Sequence, residues 1–164
     1  MVFNEKMFPR IFFTTPNIHN DANLTITIIH HVLTHWSRNI PQVLYLQLDN
    51  TSRENKNQIV FGYLSMLVEM GIFQKVKVGF LLVGHTHDHI DQMFSHFLVT
   101  LKRKNVGSLP SLIECIKKTY ISEPAFHILK KLLTCEDLFR DHIVKKNVLS
   151  NLMTLASNIN FVSK

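Results

Sequence analysis

The chain is poor in the features that mark secreted, membrane-bound and disordered proteins. It has only two cysteines in 164 residues, Cys115 and Cys135, and they lack the CxxC spacing of metal and redox motifs. No apolar stretch approaches the roughly 20 residues that a membrane-spanning helix needs, and Met1–Lys6 lacks the apolar segment of a secretory signal. We therefore expect an intracellular protein, in the nucleus or the cytoplasm, whose cysteines stay reduced within helices and which has no membrane partner.

Charged residues are also few, and they are unbalanced. They make up 18% of the chain, whereas hydrophobic residues make up 46%, so a buried core can form and disorder is not expected. The formal net charge is +6 and the isoelectric point is about 9.4. This excess is compatible with DNA as a partner, although many proteins that never touch nucleic acid are equally basic. The length suits one domain or part of one.

The order of strand-like and helical patterns predicts an α/β fold over residues 1–105. Apolar strand-like runs cover residues 11–15, 43–48 and 73–83, and helical patterns cover residues 23–36, 55–70 and 88–102. Strands that alternate with helices in this way are typical of α/β domains. From Ser108 onward the pattern is helical, without a strand, so we predict an all-helical extension over residues 106–164 that packs on the α/β domain.

Residue types at the helix ends support these bounds. Asp21 is a good N-cap for the first helix, and Thr51-Ser52-Arg53-Glu54 offers a capping box for the second. Gly71 suits the C′ position after the second helix. Within the extension, apolar residues are spaced as three helices, at residues 112–120, 126–133 and 144–155.

Polar residues follow two of the predicted strands at the point where each strand ends. Asp49-Asn50 follows the run 43–48, and Gly84 to Asp91 follows the run 78–83. Open α/β sheets bind ligands at the carboxyl ends of their strands, so the two segments form one predicted site. A carboxylate beside an asparagine is a natural ligand for Mg²⁺ or Mn²⁺, although Asp-Asn is also favoured in a simple turn.

The second segment concentrates ionisable side chains. His85, His87, Asp88, His89 and Asp91 lie within seven residues, a density that favours a functional role. The histidines favour Zn²⁺, whereas Asp49 and Asp91 favour Mg²⁺. We expect little effect of Zn²⁺ on stability, and no small-molecule cofactor.

Asn55, Lys56 and Asn57 lie at the start of the second predicted helix. Amides and a lysine in that position can hold an anion such as a DNA backbone phosphate. The alternative is a solvated first helical turn with no ligand.

Two segments together resemble an uncharacterised domain found across transposon-derived eukaryotic proteins. They are residues 44–57, LYLQLDNTSRENKN, and residues 83–95, VGHTHDHIDQMFS. The resemblance spans about residues 8–102. It implies an RNase H-like fold of the DDE-transposase type, in which acidic residues at strand ends bind two Mg²⁺ or Mn²⁺ ions for in-line attack on DNA phosphodiesters. Asp49 and Asp91 would be the catalytic carboxylates, with Asp88 and His85 as further metal ligands.

Two departures from the family pattern limit the expected activity. His89 stands where the family usually has an acidic residue, and such folds carry their first catalytic aspartate on a strand upstream of everything in this chain. We therefore expect a partial RNase H-like βαβαβα core, with the carboxylates of Asp49 and Asp91 within about 8 Å of each other. We expect this fragment alone to be inactive as a nuclease.

Two other classes of function stay open. A non-catalytic DNA- or protein-binding module would use basic residues, namely Lys56, Lys102, Arg103 and Lys104. A metal-dependent hydrolase would use His85, His87 and His89.

Overall fold

The structure is a computed structural model that describes residues 2–3, 6–7, 10–35, 40–81, 89–104, 106–118, 124–134, 136–138 and 160–163, with the backbone alone at residues 2–3, 6–7, 89–91, 93 and 160–163. Its strands are β1 (Val2–Phe3), β2 (Lys6–Met7), β3 (Arg10–Thr14), β4 (Val43–Leu48), β5 (Lys75–Phe80), β6 (Ala125–Leu129) and β7 (Asn160–Ser163). Its helices are α1 (Ala22–Thr34), α2 (Gln58–Glu69), α3 (His89–Lys102) and α4 (Leu109–Lys117). No helix within these ranges is both long and apolar enough to cross a membrane.

The chain forms two compact units, and each is discontinuous in sequence. The first unit comprises residues 1–13 and 84–128, and the second comprises residues 14–83 and 129–164. The domain division predicted from the sequence, 1–105 and 106–164, stays a prediction.

A parallel β-α-β arrangement forms the centre of the second unit. Strands β4 and β5 are parallel, with Leu44 opposite Val76 and Leu48 opposite Phe80, and helix α2 lies between them in the chain. Strand β7 pairs with the other side of β5, again in parallel, so the order is β4-β5-β7. The predicted α/β class is confirmed at this level.

The core of the second unit lies between one face of this sheet and helices α1 and α2. Alternate strand residues, such as Leu44, Val76 and Val78, point to this face, since side chains along a strand alternate between its two sides. The fully buried members of the cluster are Ile26, Leu44, Val60, Tyr63, Leu64, Phe73, Val76 and Val78. Each buried aliphatic or aromatic side chain contributes roughly 1.5–3 kcal/mol relative to exposure.

A late segment of the chain returns to this core. The N–H of Leu133 donates to the Oγ1 of Thr27 on α1 at 2.9 Å, across 106 residues of sequence, and Leu138 packs against the buried cluster. Residues 129–138 are therefore part of the second unit, although residues 84–128 lie between them and β5 in the chain.

The helix ends confirm two of the three predicted signals. The carboxylate of Asp21 caps α1 by accepting from the N–H of Asn23 at 2.8 Å, and Gly71 follows α2 with a φ of 72°. The predicted capping box at Thr51–Glu54 is wrong, because α2 begins later and its N-cap is Asn57. Asn57 accepts from the two N–H groups of Ile59 and Val60, which leaves no capping role for the earlier segment.

The predicted all-helical extension is wrong within the described residues. Helix α4 confirms the first of its three predicted helices, but residues 125–129 form strand β6 instead of a second helix. Strand β6 pairs with β3, and the ring of His127 stacks on Phe12 with centroids 4.9 Å apart. Tertiary pairing with an early strand thus overrides the helical spacing. Strand β7 is a second departure from the all-helical prediction. The helix predicted at 144–155 lies outside the described residues.

Candidate functional site

Asp49 lies immediately after β4, at the carboxyl edge of the parallel pair. Leu48 is opposite Phe80, and its carbonyl accepts from the N–H of Leu81 at 3.0 Å. The two strands therefore end at the same edge, as predicted, and the chain leaving β5 starts beside Asp49. The Asp49 side chain is exposed, and its Oδ1 accepts from the N–H of Asn50 at 2.7 Å. A carboxylate can accept about four hydrogen bonds or metal contacts, so oxygen sites remain for a cation.

Asn55 fixes the loop that carries Asp49. Its Nδ2 donates to the backbone carbonyl of Asp49 and to the Oγ1 of Thr51, both at 3.1 Å. Its Oδ1 accepts from the Oγ1 of Thr25 on α1, also at 3.1 Å. One half-buried amide thus joins the end of β4 to a neighbouring helix, which holds the candidate ligand loop in place.

The other two residues of the predicted anion site have different roles. Asn57 is the N-cap of α2, and its Nδ2 donates to the carbonyls of Ser52 and Arg53 at 3.2 and 3.0 Å. Lys56 is exposed, and its Nζ lies 5.4 Å from the ring centroid of Phe80, at the same edge as Asp49. Lys56 is therefore the member of this set that is placed to meet a phosphate.

The side chains of the other predicted metal ligands lie outside the described residues. Asp91 lies in the first turn of α3, as predicted, but its side chain is outside the described residues, as are the side chain of His89 and all of residues 82–88, which include His85, His87 and Asp88. Asp91 belongs to the first unit and Asp49 to the second. The two-metal arrangement stays a prediction. Among the described side chains, no group of three His, Cys, Asp or Glu residues could hold a metal ion.

The predicted basic segment lies at the end of α3. Lys102, Arg103 and Lys104 are all exposed, and the N–H of Arg103 donates to the carbonyl of Thr100 at 3.2 Å as the helix ends. On the neighbouring helix, a hydrogen bond from Lys118, at 2.6 Å, is the main cause that lowers the pKa of the Glu114 carboxyl. The charge of Lys104 lowers it further, to a smaller extent.

A buried tyrosine and a histidine form a polar pair between α1 and α2. The hydroxyl of Tyr63 lies 3.1 Å from the Nδ1 of His30, and the tyrosine is fully buried. Burial raises the pKa of the Tyr63 phenol and lowers the pKa of the His30 imidazole, since it disfavours the charged form of each. No motif in the sequence marks this pair.

One further surface was not among the predicted sites: the outer sheet face, which we define as Val43, Tyr45 and Gln47 of β4 with Lys75, Lys77 and Gly79 of β5. This face is opposite the core, and Tyr45 is 62% exposed. Tyr45 and Lys77 are register partners; the Nζ of Lys77 lies 4.8 Å from the tyrosine ring centroid and donates to its hydroxyl at 3.2 Å. The alternation of Leu-Tyr-Leu-Gln-Leu and Lys-Val-Lys-Val is the signal for this face, because it indicates strands buried on one side only.

The chain has no match among curated proteins and none among solved structures. One family model, described as "Domain of unknown function (DUF7869)", matches residues 1–157. That match includes Asp49, the loop of Asn55, the outer sheet face and the segment around Asp91. Because it covers nearly the whole sequence, the chain belongs to the family of this domain of unknown function, DUF7869.

Proposed function

We propose that this chain is a transposase- or integrase-like domain of mobile-element origin, with an RNase H-like core, that binds DNA and holds Mg²⁺ or Mn²⁺ at Asp49. The observation that supports this most is the position of Asp49: an exposed carboxylate at the carboxyl end of β4, beside the first residue after β5. Ligand sites of open parallel sheets lie at this edge. The resemblance of residues 44–57 and 83–95 to the transposon-derived domain points the same way.

The residues around Asp49 suit a hard cation. Mg²⁺ and Mn²⁺ prefer oxygen donors, and an exposed carboxylate next to the backbone turn at Asn50 supplies them. Bound there, the metal would neutralise charge on a DNA phosphate. Asn55 holds the carbonyl of Asp49 in place, and Lys56 adds a positive charge at the same edge.

We expect the chain by itself to bind DNA without cutting it. Two-metal phosphodiester chemistry needs carboxylates on both sides of the ion pair, and the proposal supplies Asp49 and Asp91 as catalytic carboxylates without a third. A missing ligand leaves the reacting oxygens poorly positioned, which costs several kcal/mol of barrier or orders of magnitude in rate.

Metal binding tests the proposal directly. In a titration, the electron paramagnetic resonance signal of free Mn²⁺ measures how much of the ion is bound. The wild-type chain should bind Mn²⁺, and so should Glu136→Gln, which changes an exposed carboxylate elsewhere in the second unit. Asp49→Asn should abolish that binding, because an amide is a weaker ligand than a carboxylate. Equal binding by Asp49→Asn and Glu136→Gln would reject Asp49 as a ligand.

A mapping experiment identifies the partner ligands. Fe²⁺ with ascorbate and peroxide cleaves the backbone near the bound ion, so fragments should end near residues 49–50 and near residues 88–91. Cleavage confined to residues 85–89 would favour the histidine-based metal hydrolase over the transposase-like site. Metal-dependent cutting of DNA that disappears in Asp49→Asn would contradict the expected inactivity and show that a further ligand, such as Asp21 or Asp88, completes the site.

The exposed basic segment supports a second candidate, a non-catalytic DNA-binding module. Lys102, Arg103 and Lys104 present three adjacent positive charges at the end of α3. In that case the triple change to glutamine should weaken binding to all DNA sequences about equally and lower its salt dependence. Asp49→Asn would then leave the function of the protein unchanged.

A further inference from the structure

We propose that the outer sheet face binds single-stranded DNA, with Tyr45 as the stacking residue and Lys75 and Lys77 as the phosphate contacts. The choice of DNA rests on the proposed function. The face itself is a separate surface from the predicted site at Asp49, and it includes none of the basic residues after α3.

Tyr45 has the exposure that a stacking residue needs. It is 62% exposed on the middle of a strand, whereas the residues on either side of it, Leu44 and Leu46, pack into the core. The strand is therefore held rigidly from its other face. Bases stack on such aromatic rings largely without regard to sequence, because every base has a π-face.

Lys77 sets the position of the tyrosine ring and supplies charge beside it. Its Nζ is 3.2 Å from the Tyr45 hydroxyl and 4.8 Å from the ring centroid. A base stacked on Tyr45 would bring its phosphate close to this ammonium group. Lys75 lies two residues earlier on β5, on the same side of the sheet, so a second phosphate contact is available along the strand.

The other members of the face favour a single strand over a duplex. Gln47 is exposed and lies opposite Gly79, so an amide that can bond to base edges stands beside a position with no side chain. A base presents its face for stacking on Tyr45 only where it is unpaired, and Gln47 can then bond to the edge of the same strand. The six residues include two lysines and no carboxylate, which complements the negative charge of a nucleic-acid strand.

The face also leads to the proposed metal site. Asp49 is four residues beyond Tyr45 in the chain, about 13 Å along the strand direction at 3.3 Å per residue. A short oligonucleotide stacked on Tyr45 can therefore extend to the carboxyl edge, where a metal at Asp49 would meet its backbone.

Fluorescence anisotropy with a labelled oligo-dT strand tests the face separately from the metal site when it is done in EDTA. Tyr45→Ala should weaken binding about 5-fold or more, while Tyr45→Phe should keep most of it, because stacking needs only the ring. Lys75→Gln and Lys77→Gln should each lower the slope of log Kd against log salt by about 0.7. The matched controls are Phe94→Ala, another exposed aromatic, and Lys131→Gln, another exposed lysine; both should bind as the wild type does.

Three outcomes would overturn the proposal. The first is that Tyr45→Ala and Lys77→Gln bind oligo-dT as tightly as their controls do. The second is that a duplex of the same length binds more tightly than the single strand. The third is that oligo-U competes better than oligo-dT, which would assign the face to RNA. Thermal melting confirms that each variant is folded. Because the oligo-dT experiment contains no metal, its outcome does not depend on whether Asp49 binds Mn²⁺. A failure of the outer sheet face and a failure of the metal site can therefore be distinguished.

Discussion

The side-chain amide of Asn55 donates to the backbone carbonyl of Asp49 at 3.1 Å, while its oxygen accepts from the hydroxyl of Thr25 on α1. A single side chain therefore connects the candidate ligand loop to the helix beside it. This relationship makes the position of Asp49 depend on Asn55 even though Asn55 itself carries no charge.

We expect Asn55→Ala to destabilise the protein by about 1–2 kcal/mol, because it leaves the Asp49 carbonyl and the Thr25 hydroxyl without this partner. The same change should weaken Mn²⁺ binding about 10-fold, as loss of a supporting hydrogen bond commonly does. Urea unfolding and Mn²⁺ titration measure the two effects. Asn20→Ala, at an exposed position before α1, is the control; equal behaviour of the two variants would show that the Asn55 bonds are unimportant.

The start of α2 gives a second prediction, which distinguishes its two possible caps. Asn57→Ala removes the acceptor of two backbone N–H groups and should cost about 1 kcal/mol. Glu54→Ala should cost less than about 0.5 kcal/mol, because Glu54 does not cap the helix. Chemical denaturation at neutral pH decides between them. A larger loss for Glu54→Ala would restore the capping box predicted from the sequence.

The pairing of His30 with Tyr63 predicts a loss of stability in acid. Burial lowers the pKa of folded His30 below its ordinary value of 6.5, so the unfolded chain binds a proton first as the pH falls. The stability that the buried neutral His30 contributes is fully present above pH 6.5. It is lost as the pH falls from there towards the pKa of His30 in the folded protein. Urea unfolding between about pH 8 and about pH 5 should show a smaller acid loss for His30→Gln than for wild type. The exposed His19, changed to Gln, should retain the wild-type acid loss; an unchanged profile in His30→Gln would contradict the assignment.

Two glycines provide a matched test of backbone conformation. Both Gly71 and Gly107 have open space where a Cβ would lie, but only Gly71 has a positive φ, of 72°. Gly71→Ala should therefore destabilise by about 1 kcal/mol through backbone strain alone. Gly107→Ala should be neutral or slightly stabilising. Thermal melting of the two variants compares them, and equal shifts would remove the conformational explanation.

The sequence predicted the parts of the fold that depend on local signals. The bounds of β4, the Asp21 cap and the turn at Gly71 each follow from residues within a few positions of one another. The buried side of α1 does not follow from local signals, because this helix is apolar on more than one side. Leu24, Ile28 and Val32 share one side, whereas the structure buries Ile26 and Ile29 on another. The position of α2 and the sheet determines which side is covered.

Long-range pairing accounts for the main errors. Strand β6 has the apolar spacing of a helix, and only its partner β3, more than a hundred residues earlier, makes it a strand. The candidate site likewise has a part that the sequence predicts and a part that depends on long-range contacts. Asp49 and Lys56 lie at the predicted edge, since parallel strands end together, whereas the position of Asp91 relative to them depends on how two separate units meet.

The hydrogen bond between Leu133 and Thr27 has a consequence for biosynthesis. Residues 129–138 contribute to the packing of the second unit, so that packing cannot be completed on the ribosome until residues 84–128 have also been made. Until then the apolar surface that Leu138 covers stays exposed, and contacts that span long stretches of sequence form slowly. A nascent chain stalled before residue 129 should accordingly be protease-sensitive and a substrate for chaperones, although every residue of the candidate metal loop is already present.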